Sequence, residues 1–312
     1  VKRLAVAGYS VRVAVRDIEA ALFLKVLGDT GQVVPWPADI TRADQVAAAI
    51  DGAEMVVNLV GILFKSGRQR FDNIHETGAK TIADAARTAK VKRLVHISAI
   101  GAEEDSSSHY GRSKAAGIKA VKSVFPEASF VRPSIIYGVN DKFFNLFAGL
   151  TRITFVLPVF GCKLMPKIKL FPKGGLMNFD LYGNGGTKMQ PVYVGDVADA
   201  ITRILSDPAT KGQTYDLGGP TVYSFKDLME LLLTVTRRNR LLVPMPFGLA
   251  KILAWFLEFW PSPLLTTDQV DSLKHDNVVS SNNPGFKELG IVPTSAEAIL
   301  PTYLHRFRTP TR

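Results

Sequence analysis

The sequence has one cysteine, Cys162, among its 312 residues. An internal disulfide is therefore excluded, and so is a cysteine-rich metal site, which fits a reducing compartment. We expect no metal site of another kind. No stretch of 18 or more uninterrupted apolar residues occurs, and this excludes a simple membrane-spanning helix. Internal repeats and low-complexity tracts are also missing.

Acidic residues are scarce relative to basic ones. Asp and Glu number 28 against 38 Lys and Arg, so the net charge is +10. This excess favours an anionic partner, such as a phosphate-bearing cofactor, acidic lipid headgroups, nucleic acid or an acidic protein face. Because the basic residues are scattered and no nucleic-acid reader motif accompanies them, we expect no nucleic-acid partner. Hydrophobic residues make up 46% and charged residues 21%, which is typical of a folded globular chain.

Short apolar runs alternate with amphipathic stretches over the first 138 residues. The pattern predicts strands at 11–15, 32–36, 55–60, 93–98 and 129–132, and helices near 18–27, 42–50, 71–89 and 110–125. Strands that alternate with helices indicate right-handed crossovers and a parallel sheet covered on both faces. We therefore predict a doubly wound α/β fold, whose ligands bind at the carboxyl ends of the strands.

The segment Tyr110–Lys114 carries the clearest chemical signal. Residues four apart on a helix share a face, so the phenol of Tyr110 and the ammonium of Lys114 are expected in one site. A nearby cation favours the phenolate and would lower the pKa of Tyr110, making it a general acid or base for a carbonyl or alcohol oxygen. Ser98 ends the preceding strand and would donate to the same oxygen. The same spacing also occurs in ordinary surface pairs.

Three segments around this pair resemble the extended or atypical short-chain dehydrogenase/reductase superfamily. They are Val91–Ser98, Val131–Gly138 and Val192–Ala198, and the resemblance spans roughly residues 1–236. It implies a Rossmann-like fold, with Ser98, Tyr110 and Lys114 at the catalytic positions. It also implies that Pro133, Ser134 and Ile135 line the nicotinamide.

Two features depart from the superfamily pattern. The glycine-rich phosphate loop is not found, and since Val1–Gly8 reads as the tail of a helix, we expect the first strand and that loop just before Val1. His75 takes the place where the superfamily often has an asparagine that feeds a proton relay. His75 is alternatively an ordinary polar residue near the start of a helix.

Arg16 follows the predicted strand 11–15. Dinucleotide folds that prefer NAD place an acid at this turn, whereas an arginine accommodates the 2′-phosphate of NADP. NAD stays the alternative, because the acidic Asp17 follows one residue later and because Arg16 is alternatively just a solvated residue at the end of a strand. We predict NADPH. The resemblance adds Asp39 and Ile40 near the adenine, and Leu59, Val60 and Gly61 beside the adenosine ribose.

Within the superfamily, the segments Asn58–Leu63, His96–Ala102 and Phe125–Ala128 resemble the dehydrogenase-fold accessory subunit of respiratory complex I, its alpha-subcomplex subunit nine. That resemblance implies a tightly held, structural nucleotide without assigned turnover, and other complex I subunits as partners. It also implies a peripheral position on the inner membrane, at the cytoplasmic face in a bacterium or the matrix face in a mitochondrion. The alternative is an active NADP-dependent reductase or a nucleotide-sugar epimerase or dehydratase.

We divide the chain into four parts: a dinucleotide-binding region at 1–140, a basic, Pro- and Gly-rich insertion at 141–190, a return to the sheet at 191–218, and a smaller C-terminal α+β docking region at 219–312. The insertion holds seven basic and two acidic residues, a local charge of +5, and reads as loop-rich. In the third part, Asp196 is the expected N-cap of a helix that runs to Ser206.

The window 246–260 is strongly apolar and aromatic, and its only charges are Lys251 and Glu258. A core helix is one explanation. An apolar surface nearly all round also suits a segment at a membrane interface or in a partner's groove. We expect residues 141–190 and 246–265 to face partner subunits and anionic lipid.

Overall fold

The computed structural model describes residues 1–67, 69–162, 167–170, 177–180 and 182–309. The first half alternates strands and helices as predicted. Its elements are α1 (Lys2–Val6), β1 (Val11–Val15), a 3₁₀ helix (Glu19–Leu27), β2 (Val33–Pro37), α2 (Ala43–Ile50), β3 (Met55–Asn58), a π-helical turn (Asp72–Thr77), α3 (Gly78–Thr88), β4 (Arg93–Ile97), α4 (His109–Val124), β5 (Ser129–Pro133) and β6 (Ile136–Tyr137).

The second half mixes short strands with longer helices. Its elements are α5 (Phe143–Ile153), β7 (Val156–Phe160), β8 (Lys167–Leu170), β9 (Met177–Asp180), β10 (Lys188–Met189), β11 (Val192–Tyr193), α6 (Val194–Ser206), β12 (Thr214–Leu217), β13 (Tyr223–Ser224), α7 (Phe225–Thr236), β14 (Leu241–Met245), α8 (Phe247–Leu257), α9 (Thr267–Ser272) and α10 (Ala296–Leu304).

The central sheet is parallel and has the strand order β12-β5-β4-β3. Side chains alternate between its two faces, since strand residues point in turn to opposite sides. Leu94 and Phe130 pack with α2, α3 and α4, whereas Val95 and Val131 pack with α6 and Leu4 of α1. Helices therefore cover both faces, and the predicted doubly wound fold is confirmed.

Strands β1 and β2 form a separate parallel pair. Among the described residues, β1 pairs with β2 alone and β3 with β4 alone. One edge of each of these two strands is thus unpaired. The expected first strand and its glycine-rich loop, which the doubly wound order places between them, stay a prediction.

A second core lies beyond the sheet. It joins residues of α5 and β7 to residues of α7, α8 and α10, and its fully buried members include Phe144, Leu157, Leu228 and Leu300. Strand β14 pairs in parallel with β7. The segment at 143–160 therefore folds together with the C-terminal region, so the loop-rich reading was wrong for this part of 141–190.

The expected helix N-cap at Asp196 was also wrong. Helix α6 begins at Val194, after Tyr193. The Asp196 carboxylate instead accepts hydrogen bonds from the backbone N–H and the hydroxyl of Thr294, at 2.6 and 2.9 Å, so it ties the C-terminal region to the sheet.

Over the described ranges, no helix has the length and apolar character needed to cross a membrane.

Candidate nucleotide site

Ser98 directly follows β4 at the carboxyl edge of the central sheet. Its backbone N–H donates to the Val131 carbonyl at 2.8 Å, which continues the pairing of β4 with β5. The side chain is buried, and within the described part of the chain its Oγ has no hydrogen-bond partner. A buried hydroxyl in this condition is available to donate to a bound molecule.

Lys114 lies one helical turn after Tyr110 on α4 and reaches the same sheet edge. Its buried Nζ donates to the Ile97 carbonyl at 3.3 Å. Burial lowers the pKa of Lys114 to about 8, because a desolvated ammonium loses its hydration. A Cβ at position 61 would lie 3.0 Å from this Nζ, so Gly61 leaves the room in which the ammonium sits.

Tyr110 sits in an aromatic cluster. Its ring packs edge-on against Phe71 and His75, with centroid separations of 6.0 and 5.5 Å. Burial raises the pKa of Tyr110 to about 12. The expectation that Lys114 would lower this pKa was therefore wrong: desolvation of the phenol dominates, and the ammonium hydrogen bonds to a carbonyl instead.

His75 joins the loop after β3 to α4. Its Nε2 accepts from the Ile62 N–H at 3.0 Å, and its Nδ1 lies 2.9 Å from Ser113 Oγ. The Ser113 hydroxyl donates to the Tyr110 carbonyl at 2.8 Å, so the proton shared with His75 belongs to Nδ1. Burial, and then the charge of Lys114, lower the pKa of His75 to about 3. Both nitrogens of a neutral imidazole are thus in use.

Asn58 and His96 form a second buried pair at the ends of β3 and β4. The Asn58 amide donates to His96 Nδ1 at 3.0 Å, and its oxygen accepts from the Val60 N–H at 3.0 Å. His96 is consequently a neutral Nε2–H tautomer, and burial lowers its pKa to about 3. Together with His75, this pair fixes both ends of the short loop that carries Leu59, Val60 and Gly61.

Arg16 and Asp39 mark the adenosine end of the expected site, away from Ser98. Arg16 is exposed, and no carboxylate of the described residues lies within ion-pairing distance of it. The Gln69 amide, turned with its oxygen towards the guanidinium, accepts from Arg16 Nη2 at 3.0 Å. The Asp17 carboxylate caps the 3₁₀ helix by accepting from the Ala20 N–H at 3.1 Å. Arg16 is thus the side chain that this turn offers to a ligand.

Asp39 and Ile40 already make contacts within the protein. The Thr41 N–H and hydroxyl, and then the charge of nearby Arg16, hold the pKa of Asp39 below its ordinary value. Ile40 is buried, and its side chain lies where a Cβ on Gly78 would be. Leu59 and Val60, by contrast, are exposed and free to contact an adenosine.

Pro133 ends β5, and Ser134 and Ile135, which follow it, are tied to the C-terminal region. The Ser134 hydroxyl and the Ile135 N–H both donate to Asn277 Oδ1, at 2.5 and 3.1 Å. The Pro133 carbonyl accepts from the Ile100 N–H at 3.0 Å, which holds this segment beside the loop after Ser98.

The N-terminus of α4 is capped from a distance. Asp268 of α9 accepts from the N–H groups of His109 and Tyr110, at 2.6 and 3.0 Å, and the Ser108 hydroxyl accepts from the Gly111 N–H. A carboxylate here accepts from backbone N–H groups that have no partner within the helix, and it complements the helix dipole.

The sequence alone did not indicate Asp268, Asn277 or the Asn58–His96 pair. Of these residues, only Asn58 had a recognisable local pattern, since it is a polar residue at the end of a buried strand.

The observed groups fit a nicotinamide dinucleotide. An unpartnered buried hydroxyl at Ser98 and a buried ammonium at Lys114 lie at one end of the sheet edge. An exposed arginine, Arg16, follows β1, and the exposed Leu59–Gly61 loop follows β3. Ligands of doubly wound sheets occupy this edge.

Comparison with known proteins agrees with this geometry. Residues 1–128 match the NAD(P)H-binding family. Among solved structures, the Citrobacter triphenylmethane reductase complexed with NADP(H) shares the fold, with a TM-score of 0.69 at 16% identity over 97% of this chain and 93% of that one.

Curated relatives match over almost the whole length. The mitochondrial NADH dehydrogenase [ubiquinone] 1 alpha subcomplex subunit 9 of Arabidopsis thaliana is 32% identical, covering 99% of this chain and 74% of that protein. The subunit of the same name from Mus musculus is 31% identical, covering 94% and 72%. The resemblance seen in the sequence is confirmed, and the chain belongs to the family of NADH dehydrogenase alpha-subcomplex subunit 9, with an NAD(P)H-binding domain on an extended short-chain dehydrogenase/reductase fold.

Proposed function

We propose that this protein is an accessory, NADPH-binding subunit of respiratory complex I that holds its nucleotide as a structural group and has no turnover of its own. The family membership supports the place in complex I, and the described site supports a retained dinucleotide. In this role the subunit stabilises the peripheral arm close to the membrane and the quinone site.

Each part of the proposed site has a separate task. Arg16 would bind the 2′-phosphate as a charge-assisted partner, and Leu59–Gly61 would contact the adenosine ribose. Lys114 and Ser98 would donate to the ribose and carboxamide of the nicotinamide half, while the segment Pro133–Ile135 would cover the ring. A nicotinamide dinucleotide, when bound, supplies the chemistry of hydride transfer.

The observation that carries the proposal is the pair Tyr110 and His75. A phenol with a pKa of about 12 stays protonated near neutral pH and is a poor base. Both nitrogens of His75 are engaged with Ile62 and Ser113. His75, which stands where the superfamily has its relay residue, thus holds the loop after β3 in place. These contacts support retention of a ligand, and the raised pKa of Tyr110 disfavours its use as a base.

Two measurements test the proposal. Mass spectrometry of the nucleotide released from denatured native protein should show NADPH or NADP⁺ in stoichiometric amount, and stoichiometric NAD would contradict the 2′-phosphate assignment. Tyr110→Phe should leave the electron transfer of the parent complex nearly unchanged. If it abolished respiration while nucleotide content and assembly stayed normal, Tyr110 would be catalytic.

One observation favours the alternative of an active reductase or a nucleotide-sugar epimerase or dehydratase. The structure brings Ser98 and Lys114 to one sheet edge beside Tyr110, and Ser98 Oγ is buried without a partner in the described chain. Incubating the purified, nucleotide-loaded protein with candidate carbonyl compounds separates the two functions. Under our proposal the nucleotide stays reduced.

We further propose that the protein lies peripherally at the matrix face of the inner mitochondrial membrane. The relatives named above are mitochondrial. Residues 246–265 present an exposed apolar surface, which suits partner subunits or the bilayer interface. Part of the local charge of 141–190 lies outside the described residues, at Lys163 and Lys173, and the side chains of Lys167 and Lys169 are not described either.

A further inference from the structure

Four arginines meet at one corner of the second core, which we call the arginine corner. Arg152 is on the last turn of α5, and Arg237, Arg238 and Arg240 lie in the turn between α7 and β14. Arg238 Nε donates to the Phe307 carbonyl at 2.7 Å, and Arg240 Nε donates to the Thr151 carbonyl at 2.9 Å. Arg240 Nη1 also donates to the Asn239 carbonyl at 2.8 Å. These bonds hold two of the guanidiniums in place and, within the described residues, leave the outer N–H groups of Arg238 and Nη2 of Arg240 for another acceptor.

The charges of the arginine corner are not neutralised by the protein. Across the described ranges, none of the four arginines forms an ion pair with a carboxylate. Together with Leu241, the turn lines an open hollow of ≈ 610 Å³ whose single carboxylate belongs to Glu230. That carboxylate already pairs with Lys226 at 2.5 Å. Burial, and then the charges of Arg240 and Arg152, hold the pKa of Arg238 below its ordinary value.

Large apolar side chains protrude beside these charges. Ile153 is 79%, Phe155 81% and Leu241 65% exposed. They stand together where β7 and β14 begin, because the Leu241 N–H donates to the Phe155 carbonyl at 3.0 Å. The Arg240 guanidinium lies over the Phe155 ring, 5.5 Å from its centroid. Cations and protruding apolar side chains thus share one surface.

We propose that the arginine corner binds the surface of an anionic phospholipid bilayer. Guanidiniums form bidentate, charge-assisted bonds with phosphate, and apolar side chains next to them insert at the boundary between headgroups and acyl chains. A soluble phosphate would need the arginines alone. The inference rests on the proposed peripheral position at the membrane and refines it, since it places the lipid contact at residues 152–155 and 237–241.

Vesicle binding by the purified full chain tests this inference. The probes are vesicles of phosphatidylcholine alone and of phosphatidylcholine mixed with phosphatidylglycerol, at low and high salt. The test variant is Arg152→Gln with Arg237→Gln, because neither of these side chains anchors the backbone. The matched control is Lys80→Gln with Lys122→Gln, which removes two exposed charges from the nucleotide-binding half.

The wild type and the control should bind the anionic vesicles. The double arginine variant should bind about twenty-fivefold more weakly, since one basic residue near an anionic surface changes binding about fivefold. Phe155→Ser should weaken the binding that persists at high salt, whereas Val292→Ser, at another exposed apolar position, should not. Inorganic phosphate should compete poorly.

Several results would overturn the inference: unchanged binding of the double arginine variant, an equal loss in the lysine control, or full competition by inorganic phosphate. Binding of a single-stranded polynucleotide with the same dependence on Arg152, Arg237 and Phe155 would replace the lipid with nucleic acid. Nucleotide content is measured on the same samples. A lack of bound NADP(H) would contradict the proposed function, whereas the vesicle assay alone decides whether the arginine corner binds lipid.

Discussion

At the scale of single residues, we expect Arg16 to decide which dinucleotide the site prefers. Its neighbour Asp17 is occupied by the Ala20 N–H, so the turn presents a cation where an NAD-specific fold presents an acid. Arg16→Glu should weaken retention of NADP(H) by about 1.5–3 kcal/mol, because a phosphate partner becomes a like charge. Equilibrium titration with NADP⁺ and NAD⁺ measures this.

The control for that substitution is Lys25→Glu, an exposed charge reversal on the neighbouring 3₁₀ helix. It should leave both affinities unchanged. An equal loss of NAD⁺ and NADP⁺ affinity in Arg16→Glu would show that Arg16 contacts the shared part of the dinucleotide rather than the 2′-phosphate.

Lys114 links the site to stability. Its folded pKa of about 8 lies below its ordinary value of 10.5, so between these pH values the unfolded chain binds more protons and the free energy of unfolding rises with pH. At neutral pH the buried charge costs up to about 3 kcal/mol. Nucleotide-free Lys114→Met should therefore be no less stable than the wild type at about pH 7 and should lose that relative advantage by about pH 10.

Urea denaturation at the two pH values measures this difference, and nucleotide retention of the same variant should fall. If the difference in stability between the wild type and Lys114→Met were the same at both pH values, the ammonium of Lys114 would be hydrated in the folded state.

At the scale of elements, the π-helical turn Asp72–Thr77 brings His75 into the body of the fold. The folded pKa of His75, about 3, lies below its ordinary value of 6.5. Between these values only the unfolded chain binds the proton, so stability falls as the pH drops from about 6.5 towards 3. His75→Gln keeps one acceptor and one donor but does not titrate, and it should flatten part of this acid loss.

The measurement is the urea midpoint as a function of pH, with His305→Gln as the control at an exposed histidine. His96 stays in both proteins, so some acid sensitivity should remain. If His75→Gln released the nucleotide at every pH, while its acid profile matched that of the wild type, the imidazole would act through shape alone.

The elements themselves were largely predictable, and their long-range partners were not. Strand 11–15 was predicted with its exact bounds, and the helix that carries Tyr110 and Lys114 was predicted as well, because hydrophobic periodicity and helical spacing are local properties. Asp268 and Asn277 lie more than 130 residues from the groups they bind. Such contacts depend on the packing of distant segments, and no local pattern announces them.

At the scale of the whole molecule, the apolar window 246–260 packs against the second core on one side and is exposed on the other. Helix α8 buries Ala250 and Ala254 in the second core. Phe247 packs against the same core. Most of the other large side chains of the helix point outward, and so do Phe259 and Trp260 beyond it, 73% and 72% exposed. A helix that packs through alanines while aromatic rings stay outside gains little from those rings in the isolated subunit. The explanation as a simple core helix was therefore wrong.

We expect this exposed aromatic surface to hold the subunit in its complex. Replacing Trp255 and Phe256 by serine removes two exposed rings, 4.8 Å apart between centroids, and leaves both buried alanines in place. Because truncating an aromatic anchor at an interface costs about 2 kcal/mol or more, the double variant should leave the complex during native electrophoresis while it keeps its fold and its nucleotide. The matched control, Val6→Ser with Val26→Ser, removes exposed apolar groups elsewhere and should stay bound. Loss of both fold and nucleotide in the Trp255 and Phe256 variant would instead mean that these rings stabilise the subunit itself, and that its partners dock at another surface.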